Sequence, residues 1–600
     1  MTSKGESKRN GGFASDQFYE AGPRELVVVA NRAFGMRSHG TSVSSLSGED
    51  VNDLTKVLSK NGIGLKPLFG ASEERIQQEA ASLAEEVSAG GESVDGIPDL
   101  SVFYSVDAPD DKLDKLAKQL CGCNGVDAAY VKPSAVPSHA SPDMGEEMLE
   151  AINMMSSLEV EAPPATANFR SRQGYLNPAP AGIDANYAHS LAGGRGAGIG
   201  IIDIEGAWRF THEDLTQNQG GVVGGTQSVS RNWRNHGTAV IGVISGDRNA
   251  LGIDGICPDA RMRAISIFGG MGSAGAIRKA AQLSRKGDVV LIELHRPGPR
   301  YNYQSRADQK GYIAIEWWAD DFAAIRYATT RGIIVVSAAG NGAENLNSAI
   351  YNARPAGFPS TWRNPFRRGT GGDSGSVIVG AGAPPPGTHG RNHGPDRSRL
   401  GFSNYGTAVD AQGWGREVTT TGYGDLQGGG NEDLWYTDRF SGTSSASPIV
   451  VGALGCVQGI LRARRRPLLS PARARSLLRT TGSAQTSATG RPRTQRIGRR
   501  PNLRHLISSA LRQDRWNGVQ FNGSLPANST KRWFTHSWPE HWHVLWNVVP
   551  VTPKVGGGPQ LKYDVQVQRS TDRYITYYIS VTNMSNANIQ VEARFTVAGW

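Results

Sequence analysis

Long apolar runs are absent from this chain of 600 residues: no stretch reaches 18 consecutive apolar positions, which speaks against a membrane-spanning helix. Cysteine is scarce. Cys121, Cys123, Cys257 and Cys456 are too few for a disulfide scaffold, and their spacing is not that of a zinc site. The first twenty-four residues are polar and hold no apolar h-region, so no secretory signal is visible in them. Excess charge is also missing once it is localised. The formal net charge is +10, but residues 461–504 contain thirteen Arg and no acidic residue, which leaves the remainder at −3. Such a run reads as a solvated or paired surface rather than a nucleic-acid footprint.

Glycine, by contrast, is abundant. The 75 Gly and 31 Pro make up about 18% of the chain, below the ~25–30% of low-complexity disorder. Glycine in a folded chain signals tight turns and close backbone approaches. With 38% hydrophobic residues and roughly 150 residues per domain, several cored domains are expected.

The pattern along the chain divides it. Residues 1–24 read as a disordered tail. From 25 to 133, the strand-like run Leu26–Ala30 is followed by helical stretches at 50–60 and 72–88. Leu100, Val102, Tyr104 and Val106 alternate; Leu113, Leu116 and Leu120 mark a helix face; Val126–Val131 closes with a strand. That order suggests a ferredoxin-like α+β unit. Residues 134–172, with Pro137, Pro142, Pro163 and Pro164, read as a linker with a short helix near Met148–Met155. Residues 173–511 alternate Gly-bounded apolar runs (Ile199–Ile204, Val289–Leu294, Ile333–Ala338, Ser376–Gly380) with helical stretches, the signature of a doubly wound parallel sheet. Residues 517–600 alternate instead: Leu561/Tyr563/Val565/Val567, Ile575/Tyr577/Ile579/Val581 and Ile589/Val591/Phe595/Val597 predict a small all-β sandwich.

Four motifs in 173–511 carry chemistry. Gly198–Asp203 is an apolar strand ending in a carboxylate; His236-Gly237-Thr238 opens an apolar helix; Ala338-Ala339-Gly340-Asn341-Gly342 follows a strand; Gly442-Thr443-Ser444-Ser445-Ala446-Ser447-Pro448 leads into the helix Ile449–Leu461. A serine hydroxyl is a poor nucleophile at neutral pH and needs a base, oriented in turn by a third group. Strand ends and helix starts can converge at one edge of an open sheet, where unpaired helix N–H groups face a developing oxyanion.

The order Asp…His…Asn…Ser with these flanks resembles the subtilisin-like serine proteases, over roughly residues 175–510. The resemblance implies that Asp203 orients the imidazole, His236 acts as general base and acid, and Ser444 attacks the scissile carbonyl. Asn341 and the Ser444 N–H would form the oxyanion hole. Phe402-Ser403-Asn404-Tyr405-Gly406 also looks like a family loop. On this reading His212 is structural, Glu205 is solvated or capping, and Ser374 in Gly372-Asp373-Ser374-Gly375 is a turn residue.

The chain departs from the family where the wall of the primary specificity pocket should carry a serine and a glycine. It reads Leu291-Ile292-Glu293-Leu294-His295 there, so substrate preference does not transfer. The resemblance implies a serine endopeptidase made as a self-processing zymogen, acting on protein or peptide substrates and inhibited by its own module 25–133. The expected cut falls between Ser134 and Gln173. A narrow-specificity processing enzyme of kexin-like type, with Glu293 as its acidic pocket residue, and a silent binding protein of the same fold are the alternatives. No cofactor is required for catalysis, and structural calcium is compatible with the family although no contiguous ligand loop is visible. The family's secreted habit conflicts with the missing signal, so localisation stays open.

Overall fold

The structure, a computed structural model, describes residues 22–89, 96–139, 163, 165–369, 372–512, 516–540, 542–553 and 557–597. The expected helix near Met148–Met155 lies outside them. By contacts the chain forms two compact units, Met1–Ser509 and Ala510–Trp600.

The first unit opens with a four-stranded antiparallel sheet in the order Lys66–Pro67, Phe103–Val106, Glu25–Ala30, Val126–Lys132. The run Leu26–Ala30 is apolar at every position because both faces of its strand are buried. Leu26 and Val28 pack under the helices Asn52–Asn61 and Leu113–Cys121, which contribute Leu54, Leu58, Leu116 and Leu120 at helical spacing. Val27 and Val29, one residue out of phase, join the larger core with Ile277, Trp317 and Phe358. The order also includes a hairpin, Met36–His39 with Ser42–Ser45, that the pattern did not announce.

Buried charges join this sheet to the rest of the unit. Lys132 Nζ lies 2.5 Å from Asp320, 3.4 Å from Asp321 and 3.1 Å from Glu25, and Arg296 lies 2.6 Å from Glu25. Both cations are fully buried.

A seven-stranded parallel sheet centres the unit. Its spatial order is Val409–Trp414, Val377–Gly382, Ile334–Ala338, Val289–Ile292, Gly200–Glu205, Arg261–Ser266 and Gln219–Gly224. Helices Arg231–Ser245, Gly272–Leu283, Ala319–Thr330 and Thr443–Ala463 connect and cover it. Thr443–Ala463 is the one helix among the described residues long and apolar enough to cross a membrane, and its apolar window is wholly buried in the fold. Arginines of the 461–504 run are partly consumed as ion pairs: Arg475 with Asp373, Arg479 with Asp410, Arg500 with Asp396.

The second unit is six antiparallel strands in two sheets. Trp516–Leu525, Ile589–Val597 and Val544–Thr552 form one; Thr530–Pro539, Tyr574–Asn583 and Leu561–Arg569 form the other. Leu525, Val548, Ile579, Val581, Val591 and Ala593 fill the space they share.

Candidate active site

Strand polarity decides where the chemistry-bearing residues meet. In an open parallel sheet the loops leaving the carboxyl ends of the strands gather along one edge. Glu205 ends the strand Gly200–Glu205, Glu293 directly follows Val289–Ile292, and Asn341 follows Ile334–Ala338. Two helices then deliver His236 and Ser444 to the same edge.

His236 does not open its helix, as the motif suggested, but lies one and a half turns inside Arg231–Ser245. Gly237 explains how close that helix comes. A Cβ there would sit 2.3 Å from the Ala207 carbonyl oxygen and 2.6 Å from Trp208 Cδ1, so only glycine lets the helix reach the segment that follows the strand. Gly442, at φ +103°, turns the chain so that Thr443 and Ser444 begin their helix.

The carboxylate on the imidazole is Glu205, not Asp203. Glu205 Oε2 lies 2.6 Å from His236 Nδ1, and both side chains are fully buried. Asp203 Oδ2 instead accepts the indole N–H of Trp208 at 2.7 Å. The expectation that Glu205 is solvated or a cap is corrected by the same geometry. The strand runs two residues past Asp203, and residues i and i+2 share a face, so Glu205 rather than Asp203 reaches the sheet edge. The period-two signal was in the sequence; the carboxylate two positions on was the missed candidate. Burial drives the Glu205 pKa well above the ordinary carboxylate range and pushes His236 down to about 3.

His236 Nε2 has no hydrogen-bond partner among the described residues. Ser444 Oγ is 2.7 Å from Ser138 Oγ instead. Asn341 is oriented by Thr443, whose N–H and hydroxyl both donate to its Oδ1 at 3.0 Å. Its Nδ2 therefore points outward, donating to the Ser138 carbonyl at 2.7 Å and to Gln309 Oε1 at 3.2 Å. The Ser444 N–H donates to the same Ser138 carbonyl at 3.2 Å.

Ser138 belongs to a segment that crosses this edge as a β-strand. Val136 pairs with His295 and Pro137 with Leu294, antiparallel, and the Ser138 N–H donates to the Glu293 carbonyl at 3.3 Å. Ser138 Oγ also donates to Glu293 Oε2 at 3.4 Å. Glu293 is buried against Ser444 and Ser447, and burial raises its pKa well above the usual range. The next residue, His139, stacks on Tyr423 at 5.4 Å and Phe440 at 6.0 Å, with its edge toward the His236 ring.

His212 and Ser374 lie in other hydrogen-bond networks. His212 Nε2 is 2.8 Å from the Trp435 carbonyl, and its Nδ1 accepts from the Asp214 N–H. Ser374 Oγ donates to Glu316 Oε2 at 3.0 Å beneath the sheet strand it precedes. Among the described residues no group of three or more His, Cys, Asp or Glu side chains is arranged to hold a metal ion.

Residues 209–498 match the model of the subtilase family, Peptidase_S8. An alkaline protease of Alkalihalobacillus alcalophilus is 25% identical over 307 residues, which cover 50% of this chain and 63% of that protein. Subtilisin Savinase of Lederbergia lenta is also 25% identical over 307 residues, covering 50% of this chain and 89% of its own. Among solved structures, fervidolysin from Fervidobacterium pennivorans, a keratinolytic enzyme related to subtilisin, aligns with 16% identity and a TM-score of 0.45, covering 95% of this chain and 69% of that one.

Proposed function

We propose, from the match of residues 209–498 to the subtilase family, that the protein is a serine endopeptidase, made as a zymogen whose first substrate is its own Ser138–His139 bond. One observation carries the reading. The Ser138 carbonyl oxygen receives both the Asn341 Nδ2 and the Ser444 N–H, the two donors an oxyanion hole requires beside a serine hydroxyl.

In this reading Ser444 Oγ rotates from Ser138 Oγ toward His236 Nε2 and attacks the Ser138 carbonyl carbon. His236 takes the hydroxyl proton as the bond forms, and the Glu205 carboxylate stabilises the imidazolium through Nδ1–H. The oxyanion stays between Asn341 Nδ2 and the Ser444 N–H. His236 then gives its proton to the amide nitrogen of His139, the peptide bond breaks, and a water deacylates Ser444 by the reverse roles. Asn341 is fixed by Thr443, so its amide needs no reorganisation during the step.

Residues 25–133 serve in this proposal as the inhibitory module. Their strand order, second-third-first-fourth and antiparallel throughout, is that of a ferredoxin-like unit. The segment that leaves it, Val136–Ser138, occupies the cleft as an added strand, the mode by which extended peptides dock on a sheet edge.

A fluorophosphonate serine reagent and incubation of purified protein test the function together. Labelling should map to Ser444 in the processed form, and a new N-terminus should appear at His139. A folded, full-length protein that neither labels nor shortens would overturn the reading.

A further inference from the structure

Asp203, Glu205 and Glu293 bury three carboxyl groups at one point of the sheet edge, each with no exposed surface. Asp203 and Glu205 lie on one face of one strand; Leu291 pairs in register with Asp203, and its strand leads directly to Glu293. Among the described residues no lysine or arginine forms an ion pair with any of the three, and the imidazole of His236 meets only Glu205. Three buried negative charges without a cation do not coexist; neighbouring carboxyls share protons instead.

Oxygen accounting locates one such proton. Asp203 Oδ2 is taken by Trp208 Nε1, and Glu205 Oε2 by His236 Nδ1. The remaining oxygens, Asp203 Oδ1 and Glu205 Oε1, are buried and have no hydrogen-bond partner among the described residues. Two residues apart on one face of the strand Gly200–Glu205, the two carboxyls are neighbours. A buried oxygen without a donor is costly, and a single proton between these two satisfies both.

We propose that Asp203 is held protonated and donates its carboxyl hydrogen to Glu205, as a positioning residue for the catalytic reading given above, on which this inference rests. The bond fixes the plane of the Glu205 carboxylate toward the imidazole and keeps the negative charge on the group that touches His236. The reverse placement fails chemically. With the proton on Glu205 Oε1 the oxygen facing Nδ1–H would belong to a neutral carboxyl, and the negative charge would sit on Asp203, away from the imidazolium that must be stabilised. Burial raises both carboxyls above the usual range; beyond it, the charge of Glu205 raises Asp203 further while the hydrogen bond from Asp203 lowers Glu205, in keeping with this assignment.

Asparagine at 203 is neutral and isosteric, and can both donate to Glu205 and accept from Trp208. The test compares Asp203→Asn, Asp203→Ala, Glu205→Gln and Ser444→Ala in the full chain, measuring kcat and KM on a small chromogenic peptide. Asp203→Asn should stay within about threefold of the parent. Asp203→Ala should lose about 10- to 100-fold in kcat with KM unchanged, the worth of one hydrogen bond to a charged group. Glu205→Gln should lose about 10⁴. A fall in Asp203→Asn as deep as in Glu205→Gln would put the charge on Asp203 and overturn the proposal; so would an Asp203→Ala enzyme equal to the parent. The far-downfield proton resonance of a hydrogen-bonded His236 Nδ1–H gives a second readout, independent of turnover. It should persist in Asp203→Asn and vanish in Glu205→Gln, and its loss in Asp203→Asn would equally overturn the assignment. Parent-like activity in Ser444→Ala would instead overturn the catalytic reading beneath it.

Discussion

Glu205 Oε2 stands 2.6 Å from His236 Nδ1, with both side chains sealed from solvent. A carboxylate one methylene longer than aspartate therefore meets the imidazole, and it does so from the last residue of the strand Gly200–Glu205. At this depth the bond is stronger than the same contact in water, and leaving either partner alone is correspondingly costly.

Removing the nucleophile or the base should abolish hydrolysis without unfolding the chain. Ser444→Ala and His236→Ala are each expected to lower kcat about 10⁶-fold, because they act as one unit. Asn341→Ala should cost about 10²–10³, since the Ser444 N–H still faces the oxyanion. Active-site titration beside a thermal melt separates lost chemistry from lost fold. Wild-type turnover in Ser444→Ala would refute the mechanism.

Self-processing should depend on the size of residue 138. Ser138 is fully buried against Ser444 and Glu293, so Ser138→Trp should leave the protein at full length by intact mass. The parent should yield a new N-terminus at His139, and Ser444→Ala should stay uncleaved. A parent cut elsewhere, with 138–139 intact, would contradict the assignment of the scissile bond.

Retention of the cleaved module should depend on pH in a definite direction. Burial, with Asp320 beside it, pushes the Asp321 carboxyl up to about 7 in the Lys132 cluster. An exposed aspartate titrates near 3.9, so association takes up a proton between about pH 4 and 7 and is favoured as pH falls through that window. Above about 7 this contribution is lost. Glu25, held down to about 2 chiefly by Lys132 and Arg296 against the cost of burial, weakens the interface only when pH falls below the ordinary glutamate range. Inhibition of the mature enzyme by added module, titrated from pH 5 to 8, reads the slope; inhibition that strengthens with rising pH would contradict it. Lys132→Met should weaken inhibition by at least about 10²-fold, as loss of one partner strands buried carboxylates.

The second unit should be dispensable for chemistry. A chain ending at Ser509 is expected to keep its turnover on a small peptide, and Ala510–Trp600 to melt cooperatively by itself. In that unit Ile579→Ala should cost about 2–5 kcal/mol, because Ile579 is fully buried between the two sheets. Loss of small-peptide activity on truncation would contradict the first expectation.

The alternation of apolar runs and helices that makes a parallel sheet, and the order of the Asn341 and Ser444 motifs, were legible in the residues alone. Both signals are local: continuous apolar strands follow from burial on two faces, and glycine marks the turns. The module before the sheet was legible too, since Leu26–Ala30 is apolar throughout for the same reason. Which of the two acids meets His236 was settled by tertiary packing. Asp203 and Glu205 share a strand face, and nothing local distinguishes them; the helix held close by Gly237 does, by setting the imidazole opposite the outer of the two. The occupant of the cleft was likewise a tertiary decision. Val136–Ser138 is a short stretch in a proline-rich linker, and it becomes a strand only because the edge at Leu294–Pro297 offers it backbone partners.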